Sequence, residues 1–73
     1  MNFPTIKNTN LNNVILAKKD VEEGYDIVLL AISKESVEFT THLHNKSDDS
    51  ISNGHYFCNI KSAVQDYEDR TGF

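Results

Sequence analysis

Apolar and polar residues alternate most regularly between Val37 and His44. One side of this segment carries Val37, Phe39, Thr41 and Leu43, and the other side carries Glu38, Thr40, His42 and His44. Successive side chains of a β-strand point to opposite faces of its sheet. The pattern therefore predicts a strand with one buried face and one face in contact with solvent.

Three further segments have the composition of strands. Val14–Lys18 is short and rich in branched residues, and Gly54–Cys58 is short and aromatic. Tyr25–Ser33 contains an unbroken apolar run, which is typical of a strand covered on both faces. The acidic segment Asp20–Gly24 predicts a turn between the first two strands, because its glycine adopts a positive φ without steric cost.

A change of spacing after Asn59 predicts one helix. Apolar residues then recur at intervals of three and four, at Ile60, Ala63, Val64 and Tyr67. The Asn59 side chain is suited to accept a hydrogen bond from the first helical turn. Gly72 is placed to end the helix, with Arg70 in the last turn near the negative end of the helix dipole. Cys58 is predicted to be a small buried side chain.

Together these elements predict an α+β fold, an antiparallel β-meander of three to four strands with one C-terminal α-helix packed on one face. Residues 1–12 are rich in Asn and Thr and are predicted to form a loose N-terminal arm, with Phe3 or Ile6 held against the core. Residues 13–73 then form a single small domain. The polar segment 45–53 is predicted to be a mobile loop.

Composition narrows the class of protein. The chain has 73 residues and a single cysteine, Cys58, so no disulfide can form within it, and that count favours the cytoplasm. The sequence shows neither a signal peptide nor a run of about 20 apolar residues, so a membrane protein is not expected. The net charge is −4 and the seven Lys and Arg residues are scattered, so nucleic-acid binding is not expected either.

His42 and His44 stand two residues apart on the predicted solvent face, a spacing that metal sites on sheets use. His55 or Cys58 on the neighbouring strand is the candidate third ligand, and the strand register decides whether it joins them. If Asn45 pairs with Asn53, His55 falls on the opposite face, whereas a slip of one residue brings it to the same face. Metal binding is kept as an alternative function, and no cofactor is predicted.

The leading prediction is a protein-binding surface on the open sheet face. It comprises His42, His44 and Tyr56, together with the acidic residues Glu22 and Glu23 in the neighbouring turn. Tyrosine is frequent in protein interfaces, and an acidic patch attracts basic partners. The partner is another protein or a second copy of the chain, and mimicry of a nucleic acid by the acidic residues is a third alternative. No catalytic set is assembled in the sequence, so a non-enzymatic protein is predicted.

Several short blocks carry a resemblance to a group of small proteins. The blocks are Ile27–Leu29, Glu38–Thr41, Gly54–Phe57, Ala63, Asp66–Glu68 and Arg70. In these blocks the chain resembles uncharacterised phage- and prophage-type proteins of Gram-positive bacteria, in which a strand with a Gly-His-Tyr-Phe block precedes a capped C-terminal helix. The resemblance implies the same fold and the context of a mobile-element accessory protein. It implies no particular activity.

Overall fold

The computed structural model describes residues 4–33 and 36–71. Four strands and one helix follow one another along the chain: β1 (Asn13–Glu22), β2 (Tyr25–Ser33), β3 (Val37–Asn45), β4 (Ser50–Phe57) and α1 (Ile60–Asp69). No helix within the described ranges has the length and apolar character needed to cross a membrane.

The strands form one antiparallel sheet in the order β1-β2-β3-β4, so each strand lies beside its neighbour in sequence. The helix packs against β2, β3 and β4. The predicted α+β meander with a single C-terminal helix is therefore confirmed, and with four strands. In this order β1 and β4 are the two edges of the sheet.

Strand β2 forms the centre of the core, because it is buried on both faces. Its even-numbered residues Val28, Leu30 and Ile32 pack with Ile6 of the N-terminal segment, and we call this side the arm face. Its odd-numbered residues Ile27 and Leu29 lie on the side of α1, which we call the helix face. The unbroken apolar run of β2 thus has a physical reason: each face has its own cover.

The N-terminal arm is not loose from residue 4 onward, which corrects the prediction. Ile6 is 4% exposed, and its backbone N–H donates to Oδ1 of Asn13 at 2.7 Å. The backbone N–H of Ile15 donates to the carbonyl of Pro4 at 2.8 Å, which ties the arm to edge strand β1. The contact predicted for Ile6 is confirmed, and Phe3 lies outside the described residues. The side chain of Asn13, the first residue of β1, therefore fixes the arm through both the N–H and the carbonyl of Ile6.

Two edge strands are longer than predicted. β1 extends to Glu22 and contains two irregularities in its pairing with β2, around Leu16 and before Glu22. β4 begins at Ser50 rather than at Gly54, so the predicted mobile loop shrinks to a tight turn before it. Between Thr41 and Leu43 of β3, β4 has one extra residue, and Asn53 adopts a φ of 54° there. A β-bulge of this kind is hard to foresee, because it breaks the two-residue period of a strand.

The helix begins as predicted, since the Asn59 side chain accepts a hydrogen bond from the backbone N–H of Ser62. Ala63 is fully buried, whereas Ile60 is 44% exposed, so the apolar face that the helix buries is narrower than the spacing of its apolar residues predicted. Arg70 follows the helix instead of lying in its last turn, and its guanidinium donates to the carbonyls of Thr41 and Asn53. Cys58 is exposed, contrary to prediction, and the predicted stop at Gly72 lies outside the described residues.

Candidate functional site

The two strand histidines do not face solvent, which corrects the central premise of the predicted surface. His42 is 4% exposed and His44 is 9% exposed, and Thr40 beside them is fully buried. All three lie on the arm face, opposite Leu30, Val28 and Asp26 of β2. Alternation identifies which side chains share a face, but it does not reveal that an N-terminal arm covers that face.

His42 lies in a largely apolar environment beneath β4. Its Nδ1 is 3.0 Å from Oγ1 of Thr40, and its ring meets the ring of Tyr56 edge to face, with centroids 5.6 Å apart. A Cβ placed on Gly54 would lie only 2.5 Å from Nε2 of His42, so the glycine makes room for the imidazole. Burial lowers the pKa of His42 to about 4, and the ring is neutral at neutral pH.

His44 is held between two carboxylates. Its Nδ1 is 3.2 Å from Oδ2 of Asp26, and its Nε2 is 2.7 Å from Oδ1 of Asp49. Asp26 is 3% exposed and also pairs with Nζ of Lys46 at 3.3 Å, which in turn bonds to Asp20. A cleft of about 480 Å³ opens beside this cluster, lined by Lys18, Lys19, Asp20, Asp26, His44 and Lys46.

Opposite charges around His44 stabilise one another in their ionised forms. The Lys46 ammonium beside Asp20 lowers the pKa of that carboxyl, and the hydrogen bond that Lys46 donates to Asp20 raises the pKa of Lys46. The pKa of Asp49 is lowered first by the backbone N–H of Lys7 and then by the His44 ring. Sequence reasoning missed Asp26 and Asp49. The signal for Asp26 was a carboxylate at the start of the apolar run of β2, whereas Asp49 carried no signal.

His55 lies on the other side of the sheet from His42 and His44. It stands opposite Thr41 on the helix face, where its Nδ1 is 2.9 Å from Oδ2 of Asp66. Burial raises the pKa of Asp66, but hydrogen bonds from Thr41 and His55 outweigh this effect and hold the pKa below its usual value. His55 therefore connects β4 to the helix through the carboxylate of Asp66.

This placement does not assemble the metal site considered for the three histidines. Asn45 pairs with Ser50 rather than with Asn53, and the bulge then sets the position of His55. Within residues 4–33 and 36–71, no group of three or more His, Cys, Asp or Glu side chains is arranged to hold a metal ion.

The remaining residues of the predicted partner surface fall at opposite ends of the sheet. Tyr56 is 52% exposed and pairs with Thr40, which itself pairs with Leu30. Glu22 and Glu23 are exposed at the β1–β2 turn, where Glu22 pairs with Tyr25. The two positions are separated by roughly 16 Å along β2, at about 3.3 Å per residue. They do not form one patch.

The surface that the structure does present is the free side of β4. Residues 52–56 are exposed without interruption, and no residue of β4 is Asp, Glu, Lys or Arg. Among the described residues, no backbone–backbone hydrogen bond of β4 lies outside its ladder with β3. Beside this edge lies a groove of about 440 Å³, lined by Phe57, Lys61, Ser62, Gln65, Asp66 and Asp69.

Comparison with known proteins adds no relative to this picture: no protein-family model, curated protein or solved structure matches the chain. The geometry of the sheet edges and of the polar clusters therefore carries the functional argument.

Proposed function

We propose that the protein is a non-enzymatic protein-binding module that accepts an extended segment of a partner protein along β4. The observation that carries this proposal is the character of that edge strand. Residues 52–56 are exposed along it, and it has no charged side chain. The unpaired N–H and C=O groups of an edge strand are a template for a further strand.

The two sides of β4 offer different contacts to an added strand. Alternate side chains of such a strand fall on opposite faces of the sheet. On the arm face they meet Tyr56, whose ring is held in place by its edge-to-face contact with His42. On the helix face they meet the groove beside Phe57, where Lys61 and Asp69 present opposite charges. Backbone pairing supplies affinity in this mode, and the side-chain contacts supply specificity.

Several observations support a binding role without catalysis. The three histidines all have internal partners: Thr40 for His42, Asp26 and Asp49 for His44, and Asp66 for His55. In our proposal these contacts are structural, and they shape the sheet that displays β4.

We place the protein in the cytoplasm, as its single cysteine favours, and among phage- and prophage-type accessory proteins, as the Gly54–Phe57 block followed by a helix suggests.

The test selects random ten-residue peptides displayed on a particle surface and titrates the selected peptides into isotope-labelled protein. We expect amide resonances of residues 50–57 and of the Lys61–Asp69 groove to shift on binding. Selection of no peptide above background would overturn the proposal, and so would peptides whose shifts map to β1 or to the Glu22–Glu23 turn.

A matched pair of variants sharpens this test. Ser52→Lys places a charge on exposed β4, and Leu16→Lys places one on exposed β1, where the native side chain is 45% exposed. We expect Ser52→Lys to weaken peptide binding at least tenfold and Leu16→Lys to leave it unchanged. Equal effects of the two variants would contradict binding at β4.

A further inference from the structure

One aspartate, Asp49, binds the backbone of the N-terminal arm at the two residues after Ile6. Oδ2 of Asp49 accepts the backbone N–H of Lys7 at 2.7 Å, and the carbonyl of Asp49 accepts the backbone N–H of Asn8 at 3.3 Å. The Asn8 side chain donates to the carbonyl of Asp48 at 3.1 Å. The other carboxylate oxygen of Asp49 is the one that contacts His44. The arm, the turn before β4 and His44 therefore form one connected network.

The two carboxylate contacts of His44 can both be hydrogen bonds only when both ring nitrogens carry a proton. Each ring nitrogen lies within hydrogen-bond distance of a carboxylate oxygen, Nδ1 of Asp26 and Nε2 of Asp49. A neutral imidazole carries one N–H, so it donates to one of two ionised carboxylates and presents a lone pair to the other. Both contacts are hydrogen bonds when the ring carries both protons.

We propose that His44 is a proton-controlled latch for the N-terminal arm. With both ring nitrogens protonated, His44 holds Asp49, and Asp49 holds the backbone of Lys7 and Asn8. The charged groups around the ring are Asp26 on β2, Asp49 in the turn, Lys46 after β3, and Asp20 and Lys18 on β1. Lys46 neutralises part of the charge of Asp26, and a ring that carries both protons donates to both carboxylates.

The direction of the switch follows from the burial of the two aspartates. The side chain of Asp26 is 4% exposed and is also fixed by Lys46, whereas the side chain of Asp49 is 37% exposed. When the ring loses a proton, the contact to the more exposed Asp49 is the one that opens, because water can solvate that carboxylate in place of the ring. The latch therefore closes at lower pH and opens as the pH rises. The backbone N–H of Lys7 and the His44 ring lower the pKa of Asp49, which favours the ionised carboxylate that the closed latch needs.

Opening the latch matters because of what the arm covers. Ile6 is part of the buried cluster on the arm face, against Val28, Leu30 and Ile32. Residues 7 and 8, which the latch holds, follow Ile6 directly. Release of these residues loosens the cover over the most apolar part of the sheet.

The test is a pH titration of the isotope-labelled full chain, which follows the Lys7 amide and the His44 ring together. We expect the Lys7 amide proton, which is bonded to a carboxylate, to move upfield as the pH rises, with the midpoint of the His44 ring. We also expect its exchange protection, corrected for the intrinsic rate, to fall at least threefold across that midpoint. A Lys7 amide that stays constant while the His44 ring titrates would overturn the proposal.

Variants separate the latch from other titrations. His44→Gln and Asp49→Asn should each abolish the pH dependence of the Lys7 amide, whereas His55→Gln, on the other face, should preserve it. Persistence of the Lys7 titration in His44→Gln would contradict the latch. If either variant fails to fold, the agreement of the two wild-type midpoints still decides the question. This inference is independent of peptide binding at β4.

Discussion

The two edges of the sheet differ in how they are protected. β1 carries Lys18, Lys19, Asp20 and Glu22, and its pairing is interrupted at two places. The arm adds a further contact, because the Ile15 N–H is bonded to Pro4. Charges, bulges and a covering segment are the devices by which proteins prevent unwanted strand pairing. β1 has all three.

β4 has only one of these devices, the bulge at Asn53. Residues 52–56 are exposed and carry no Asp, Glu, Lys or Arg, and Tyr56 adds a large aromatic surface among them. β1 is therefore protected against pairing with a further strand, whereas β4 has little such protection. The strand-binding function that we propose therefore involves β4 and not β1.

The largest expected effect comes from removing the cover over β1 and the arm face. Ile6→Ala deletes a side chain that is 4% exposed, so unfolding free energy should fall by about 2–5 kcal/mol. Urea denaturation measures the change. Ile60→Ala is the matched control, because Ile60 is 44% exposed on the helix and should cost about 0.5 kcal/mol or less. Similar losses in both variants would mean that the arm does not cover the core.

Acid should lower the unfolding free energy of the protein, because His42 is buried as a neutral ring. The folded-state pKa of His42 is about 4, below the ordinary value of 6.5, because burial disfavours the charged ring. The unfolded chain therefore takes up a proton first as the pH falls, and stability is lost from about pH 6.5 downward. The loss approaches about 3 kcal/mol at pH 4, at about 1.4 kcal/mol per pKa unit.

Denaturation midpoints measured between pH 7 and pH 5 test this effect before most carboxylates titrate. His42→Gln should flatten the profile in that range, and His55→Gln should leave it sloped. If the His42→Gln profile had the same slope as that of the wild type, His42 would not be buried as a neutral ring.

Gly24 and Gly54 distinguish steric from backbone constraints. Gly54→Ala places a Cβ 2.5 Å from the His42 ring, so it should cost about 1–3 kcal/mol and distort β4. Gly24→Ala meets no atom within 4 Å but has a φ of 84°, so it should cost about 1 kcal/mol by backbone strain alone. Combining each variant with His42→Ala separates the causes, because only the cost of Gly54→Ala should decrease.

Much of the fold was predictable, because it follows from periodicity. β2, β3 and α1 have clear apolar patterns, and Asn59 marks the helix start by its side-chain chemistry. The arm had no such signal. Ile6 and Leu11 are isolated apolar residues in an Asn- and Thr-rich segment, and only the three-dimensional structure shows that they pack on the sheet. The sequence analysis did not predict that the arm covers this face, and it therefore predicted wrongly that His42 and His44 are exposed.

The candidate site was less predictable, because it depends on register. The sequence singled out Tyr56 as a surface residue, and the structure places it beside His42 on exposed β4. The pairing of His44 with Asp26 and Asp49 joins β2, β3 and a turn, and no local pattern specifies such a contact. The bulge at Asn53 likewise reverses the face of every residue after it, so the position of His55 could not be deduced.

The smallest expected effect separates the bulge from the edge that it shapes. Asn53 has a φ of 54°, a conformation that costs glycine least, so Asn53→Gly should stabilise the protein by about 0.5 kcal/mol. Asn53→Ala should instead destabilise it by about 1 kcal/mol, because alanine, unlike glycine and asparagine, adopts a positive φ only at a steric cost. Denaturation compares the two variants, and peptide binding to Asn53→Gly should equal that of the wild type. If glycine weakened binding while stabilising the fold, the bulge itself would be part of the binding surface, and β4 would differ from β1 by shape rather than by charge.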